Sequence, residues 1–241
     1  EITTRLVGSE MCIRDRSQEK IDLLDEILDA QQGLMDRRAR ACDVYIGIPF
    51  CTTRCAYCSF SSGEIGDGRL VEPYLAALLH EIEACAEMAR EMGLHIRVGY
   101  IGGGTPSSLT TPQLDRLLAH VERHFGALAE FTVEAGRPDT LDAQKLHMLR
   151  DHPVTRISIN PQTMNDATLT RIGRAHTAKQ TVEAYELARS IGFDDINMDV
   201  IAALPGEDYA MFAHTLAEIR RLRPESLTVH TLAIKLSLIH I

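Results

Sequence analysis

The chain has 241 residues, of which 45% are hydrophobic and 24% charged, the composition of a globular protein able to bury one sizeable core. A formal charge of -9 without any dense Lys/Arg stretch argues against nucleic acid or anionic membrane as partner, and no apolar run reaches the length of a membrane span. Small molecules or proteins are the expected partners and the cytoplasm the expected compartment, where six cysteines suit metal ligation better than disulfides.

In chain order, residues 1–16 (EITTRLVGSEMCIRDR) resemble translated sequencing-adapter read-through, as does the closing LSLIHI at 236–241. Both ends are expected to be non-native, and Cys12 is given no role. From Ser17 the apolar residues Ile21, Leu24, Ile27 and Leu28 recur at helical spacing up to Gly33, so residues 17–40 read as a leading helix and linker. The core is expected over 41–235. It opens with a buried strand, Val44 to Ile48, ended by Pro49 and followed by a cysteine-rich loop. Val71, Leu75, Leu78, Leu79, Ile82, Cys85 and Met88 then trace one helical face, which makes Cys85 an expected core residue.

The strand-then-helix pattern repeats. Val98 to Ile101 leads into the glycine turn GGGTPS and a helix begun at Thr111 and Pro112; Phe131 to Val133 ends at Glu134 before a third helix. Ile157 to Ile159 precedes Asn160, Pro161 and Gln162, and a paired helical region runs from Asp166 to Ile191, stopped by Gly192. Ile196 to Ala203 is a strand, a helix reaches Leu222, and a last strand runs from Leu227 to Ala233. Six such alternations require a parallel sheet with right-handed crossovers: an α/β fold, in the form of a partial (β/α)6 TIM-like barrel rather than a closed one. Composition alone does not separate that from a doubly wound sheet.

CTTRCAYC places Cys51, Cys55 and Cys58 at C-x3-C-x2-C, close enough for one loop to wrap a cluster. Three thiolates bind three irons of a four-iron cube and leave the fourth open, whereas a zinc knuckle needs a fourth ligand that the loop does not contain. Chance packing of small residues is the remaining alternative. GGGTPS is no phosphate loop, since no Gly-Lys-Ser/Thr follows, and as a lone turn it offers positive φ and close backbone approach. A carboxylate at Glu134 accepts hydrogen bonds from hydroxyls or an ammonium group. The histidines, His176 and His230 among them, show no paired spacing that indicates a second metal, and each reads as a core or surface packing residue.

YIGIPFCTTRCAYCSF at 45–60 resembles the signature of radical S-adenosylmethionine enzymes, in particular the oxygen-independent coproporphyrinogen III oxidase family. VEAGRPDT, RISINPQTMND and LTVHTLAIK are similar to the branch called coproporphyrinogen dehydrogenase, type Z, and the likeness covers nearly all of Val44 to Lys235. The resemblance implies a radical-type barrel with a 4Fe-4S cluster on Cys51, Cys55 and Cys58. It also implies one or two molecules of S-adenosylmethionine, whose reductive cleavage gives methionine and a 5'-deoxyadenosyl radical. Tyr57 corresponds to an aromatic packed on the adenine, and Tyr45 to a tyrosine near the cofactor, though an ordinary strand aromatic reads the same way. Gly103, Gly104 and Thr105 match the turn that binds the cofactor's amino group. Glu134 matches a cofactor-binding glutamate, and Gln162, Arg174 and Asp199 match positions that help bind S-adenosylmethionine, some of them a second molecule. Ala233 matches a backbone contact to the adenine.

The implied activity is oxidative decarboxylation of coproporphyrinogen III to protoporphyrinogen IX in heme biosynthesis. A tetrapyrrole is the substrate and a protein such as flavodoxin or ferredoxin the electron donor. Two rival readings share the cysteines: a heme-binding chaperone of the same family, and a radical enzyme acting on another substrate. Members of the branch carry further sequence on both sides of this region, the C-terminal part helping to cover the active site, so the segment alone is expected to make the radical slowly and not to turn over the tetrapyrrole.

Overall fold

A computed structural model describes residues 17–32 and 40–232, so the expectations for Cys12, Gly33, Ala233 and the closing residues lie outside it. The chain divides into two units, residues 1–40 and 41–241. In the first, α1 (Gln18–Ala30) forms where the apolar spacing predicts a helix.

The second unit is built on strands β1 (Ala41–Ile48), β4 (His95–Gly103), β5 (Glu130–Glu134), β6 (Arg156–Ser158), β7 (Ile196–Ala202) and β8 (Ser226–Thr231). They form a six-stranded sheet in the order β1-β4-β5-β6-β7-β8, parallel throughout. Among the described residues β1 and β8 are its two edges and do not pair, which is the partial barrel expected. A two-residue ladder, β2 (Phe50–Cys51) with β3 (Gly63–Glu64), closes the base of the cysteine loop.

Alternation along each strand divides the sheet into two chemistries. Ile46, Ile48, Ile101, Phe131, Val133, Ile157, Ile196, Met198 and Val200 turn outward into a buried apolar layer beneath the helices. The intervening residues Tyr100, Thr132, Glu134, Ser158, Asn197, Asp199 and Thr228 turn inward and line a cavity. This polar inner face differs from the closed eight-stranded barrel, whose centre is packed with branched apolar side chains, and leaves space for a ligand inside the sheet.

The crossovers are α2 (Val71–Glu91), α3 (Thr111–Phe125), α4 (Ala143–Asp151), α5 (Asp166–Arg171), α6 (Ala178–Ile191) and α7 (Tyr209–Leu222). Their starts are chemically marked. Asp142 and Asp208 accept from the backbone N–H of Lys145 at 2.7 Å and Met211 at 2.9 Å, each cap being worth about 1 kcal/mol. Thr177 and Gln180 exchange a reciprocal capping box, and Gly192 ends α6 at φ 104, in the left-handed region.

The sequence expectation fails on one face of α2. Its buried residues are Val71, Leu75, Leu78, Ile82, Ala86 and Ala89, while Cys85 is exposed and Met88 is 58% exposed. Beyond Ile82 the 3.6-residue period admits either Cys85 or Ala86, and packing against the sheet selects Ala86 and then Ala89, leaving Cys85 and Met88 outward.

Candidate functional site: a three-cysteine loop over a polar barrel mouth

Cys51, Cys55 and Cys58 sit just past the C-terminal end of β1, in a loop anchored at both ends. Gly63 N–H donates to the Pro49 carbonyl at 3.0 Å and Ile65 N–H to that of Cys51 at 2.8 Å. Across the loop, Ala56 N–H donates to the Ile172 carbonyl at 3.0 Å and the Thr53 hydroxyl to the Gly173 carbonyl at 2.9 Å, so the turn after α5 holds it from above. Gly173 has φ +78, and a Cβ there would stand 3.0 Å from the Arg54 carbonyl oxygen; a side chain would lift the loop off its seat.

The glycine turn braces the same loop. Gly104 N–H and Thr105 N–H each donate over 2.7 Å, to Ile48 and Phe50 carbonyls, and the Thr105 hydroxyl lies 3.5 Å from Cys51 Sγ. A Cβ on Gly104 would meet the Phe50 oxygen at 2.6 Å and Cys51 Sγ at 3.0 Å, and one on Gly103 (φ +108) the Ile48 backbone at 2.9 Å. These glycines make room for the chain's own cysteine strand as well as facing the cavity. Lys145 supports the turn from behind: its Nζ donates to the carbonyls of Ser107 at 2.6 Å and Thr140 at 3.1 Å, and burial holds its ammonium below the usual lysine range.

Arg137 is the residue that sequence reasoning missed. Only 2% exposed, it donates to the hydroxyls of Thr52 at 2.8 Å and Thr53 at 2.6 Å, to the Thr53 carbonyl at 3.0 Å, and to Cys55 Sγ at 3.1 Å. The guanidinium thus fixes the cysteine loop to the barrel directly beside the Cys55 sulfur. Its signal in the sequence is one arginine after strand β5, indistinguishable there from a solvated charge.

Tyr57 packs its ring with a small apolar cluster of Leu169, Ile172, Ile201 and Leu204, and its hydroxyl accepts from Arg174 Nη2 at 3.2 Å. Burial pushes its phenol up to about 12 against the opposing pull of Arg174. Gln162 is 6% exposed and holds φ 67, unusual for a residue with a side chain. It is fixed there by bonds on both sides: its N–H donates to the Asp199 carbonyl and its own carbonyl accepts from Ile201, each at 2.9 Å. Asp199 accepts from Asn197 Nδ2 at 2.7 Å, and His230, at the exposed rim, has Nε2 3.9 Å from the other carboxylate oxygen. His176, in contrast, is a buried packing histidine, as expected.

Glu134 accepts from the Tyr100 hydroxyl at 2.6 Å, and Tyr100 stacks on Tyr45 with ring centroids 5.6 Å apart. Burial raises the Glu134 carboxyl above its ordinary range and Asp199 adds to this, while the Tyr100 bond opposes it. Burial and the Glu134 charge together hold the Tyr100 phenol well above its usual value. The cavity of about 730 Å³ brings together Cys51, Cys55, Cys58, Tyr57, Gly103, Gly104, Thr105, Glu134, Gln162, Arg174 and Asp199. Tyr45 lies beside it, lining an adjoining cleft, and Ala233 falls outside the described residues.

The thiols fit a cluster better than a single ion. One zinc ion would space its sulfurs by about 3.8 Å. Among the described residues, however, the three-donor group whose ligand atoms all lie within 4.8 Å of one another is Glu83, His120 and His124, not the cysteines. That finding also corrects the sequence reading of the histidines: His120 and His124 are four residues apart on α3, a spacing that puts two imidazoles on one face.

A partial parallel α/β barrel with three loop cysteines beyond its first strand, facing inward carboxylates on later strands, is the scaffold of a cluster-bearing enzyme. Residues 45–219 match the Radical SAM superfamily, and the chain belongs to it; membership implies a 4Fe-4S cluster and S-adenosylmethionine. The chain is 45% identical over 224 residues to the oxygen-independent coproporphyrinogen-III oxidase-like protein HemZ of Bacillus subtilis, covering 90% of this chain and 45% of that protein. It is 37% identical over 194 residues to the heme chaperone HemW of the same organism, covering 79% and 50%. Among solved structures, coproporphyrinogen III oxidase (HemN) from Escherichia coli superposes with a TM-score of 0.74 at 28% identity, over 83% of this chain and 46% of that one. The resemblance read from the cysteine signature is thereby borne out, and the chain spans about half the length of the curated relatives it matches. Among the described residues no helix is long and apolar enough to cross a membrane.

Proposed function

We propose that this region is the radical-generating core of an enzyme that oxidatively decarboxylates coproporphyrinogen III to protoporphyrinogen IX, working in the reducing cytoplasm with electrons from a flavodoxin or ferredoxin. The single observation that carries the proposal is the meeting of the Cys51–Cys55–Cys58 loop with Glu134, Gln162, Arg174 and Asp199 around one cavity. If bound there, the cluster and S-adenosylmethionine would supply a 5'-deoxyadenosyl radical able to take a hydrogen atom from a propionate; loss of carbon dioxide and transfer of the remaining electron to a separate one-electron acceptor would then leave a vinyl group.

The chain's own residues position and shield. Arg137 and Thr105 hold the cysteine loop. Glu134 and Asp199 offer carboxylate oxygens to hydroxyl or ammonium groups, and each is already oriented by a neighbour, Tyr100 or Asn197. Arg174, anchored on Tyr57, offers a cation to a carboxylate, and with Gln162 it belongs to the set through which a second S-adenosylmethionine would be held.

The 37% identity to a heme chaperone favours a second reading, in which the same scaffold carries heme without oxidising a propionate. Anaerobic incubation with coproporphyrinogen III, S-adenosylmethionine, a reductant and a one-electron acceptor, followed by chromatography of the porphyrins, separates the two. The assay is run on this chain and on the chain extended to the length of its relatives. Monovinyl and divinyl products from the extended form support the oxidase. Stoichiometric heme binding without vinyl products supports the chaperone.

A further inference from the structure

The geometry points to a second metal site on the outside of the barrel, in which Glu83 of α2 and His120 and His124 of α3 take a divalent ion of the zinc class. His120 Nε2 lies 3.3 Å and His124 Nε2 3.8 Å from the same oxygen, Oε1 of Glu83, and all three donor atoms lie within 4.8 Å of one another. Tetrahedral ligands held about 2.0–2.1 Å from zinc are separated by about 3.3 Å. One edge of the donor triangle therefore already stands at about that spacing, and a second, at 3.8 Å, is slightly wider.

The donors are also constrained. His120 and His124 side chains are 12% and 23% exposed, and their rings lie 4.3 Å apart between centroids, tilted by 35°. An ordinary ion-pair cluster explains the arrangement less well. At 3.8 Å, His124 Nε2 is beyond hydrogen-bond reach of the carboxylate it faces, leaving a gap that suits a bridging ion. His120 Nε2 is 3.0 Å from the Leu79 carbonyl, a contact that metal uptake would replace. His80, one turn before Glu83, has Nδ1 3.8 Å from the second carboxylate oxygen and lies outside the donor triangle, so water completes the coordination. Two imidazoles and a carboxylate suit zinc and, by the same chemistry, cobalt or nickel.

The placement assigns the ion a structural part. Helix α3 starts where β4 ends and finishes where β5 begins, so His120 and His124 sit at the end of the barrel opposite the cysteine loop. An ion there would pin α2 to α3, the helices that flank β4 and thus the glycine turn at its far end.

The test must keep the loop thiols out of the measurement. In the chain carrying Cys51→Ser, Cys55→Ser and Cys58→Ser, titration with Co²⁺ is expected to give about one equivalent of tetrahedral visible bands without thiolate charge-transfer absorption in the near ultraviolet. His120→Ala and His124→Ala in that background should each weaken binding by about tenfold or more. In parallel, the cluster-loaded chain with its cysteines intact should retain zinc beyond its iron after dialysis and melt higher in its presence, and the H120A/H124A double variant should do neither. That second measurement stands even if the serine variant fails to fold. Equal zinc retention by the double variant and the parent, a thiolate band pointing to Cys85, or no uptake by either protein would overturn the assignment.

Discussion

Replacing Arg137 tests how the fold supports the cysteine loop. The guanidinium is buried, spends two bonds on threonine hydroxyls and one on the Thr53 carbonyl, and stands 3.1 Å from Cys55 Sγ. At an effective dielectric of about 20, a unit charge at that distance from a thiolate is worth about 5 kcal/mol. Ligation spreads the sulfur's charge over the cluster, so we take about half of this as the preference for the more negative, reduced state. For a one-electron couple that is a potential lowered by about 100 mV on removal of the cation. Arg137→Met is therefore predicted to lower the cluster's reduction potential on that order, measured by redox titration with electron paramagnetic resonance of the reduced form, and to lower iron retention because the Thr53 carbonyl loses its donor. Arg137→Lys should keep most of the potential and lose part of the loop order, since an ammonium is a point charge without the planar fork. An Arg137→Met protein with unchanged iron content and potential would refute the reasoning.

Further outcomes follow from the same geometry. Gly104→Ala drives a methyl against the Phe50 carbonyl and Cys51 Sγ and should destabilise the fold by about 1–3 kcal/mol while reducing iron uptake, read by denaturant melts and iron analysis. Asp199→Ala should weaken S-adenosylmethionine binding about tenfold, the loss of one charged hydrogen bond, with iron content unchanged; calorimetry on the cluster-loaded chain measures it. For Glu134, whose folded carboxyl is raised by burial, the stability it contributes is fully present below the ordinary carboxylate range and is lost as pH rises through the elevated value. Without cofactor, Glu134→Gln should therefore melt higher than the parent at neutral pH, the difference vanishing in acid, while its affinity for S-adenosylmethionine falls.

Much of this site was legible because its signals are local. C-x3-C-x2-C needs no tertiary information, and the inward residues Thr132, Glu134, Asn197 and Asp199 alternate with outward Phe131, Val133, Met198 and Val200 in plain period two. What stayed hidden depends on contacts distant in sequence. Arg137 acts on partners 82 to 85 residues before it. The crowding that demands glycine at 104 comes from Phe50 and Cys51, so the turn's role in seating the cysteine strand could not be read from GGGTPS itself. Cys85 was misplaced because a helical wheel accepts either Cys85 or Ala86 after Ile82, and only the packed neighbours choose. The spacing of His120 and His124 was readable; their meeting with Glu83 required the pairing of two helices.

Whether the three loop cysteines carry a cluster that cleaves S-adenosylmethionine is decided most directly by iron analysis coupled to 5'-deoxyadenosine detection after anaerobic reconstitution and reduction. About four irons per chain and a slow release of 5'-deoxyadenosine are expected, both lost in Cys51→Ala, Cys55→Ala and Cys58→Ala and both kept in Cys85→Ala. Iron retained by all three loop variants but lost from Cys85→Ala, or no 5'-deoxyadenosine at full cluster loading, would contradict that role for the loop.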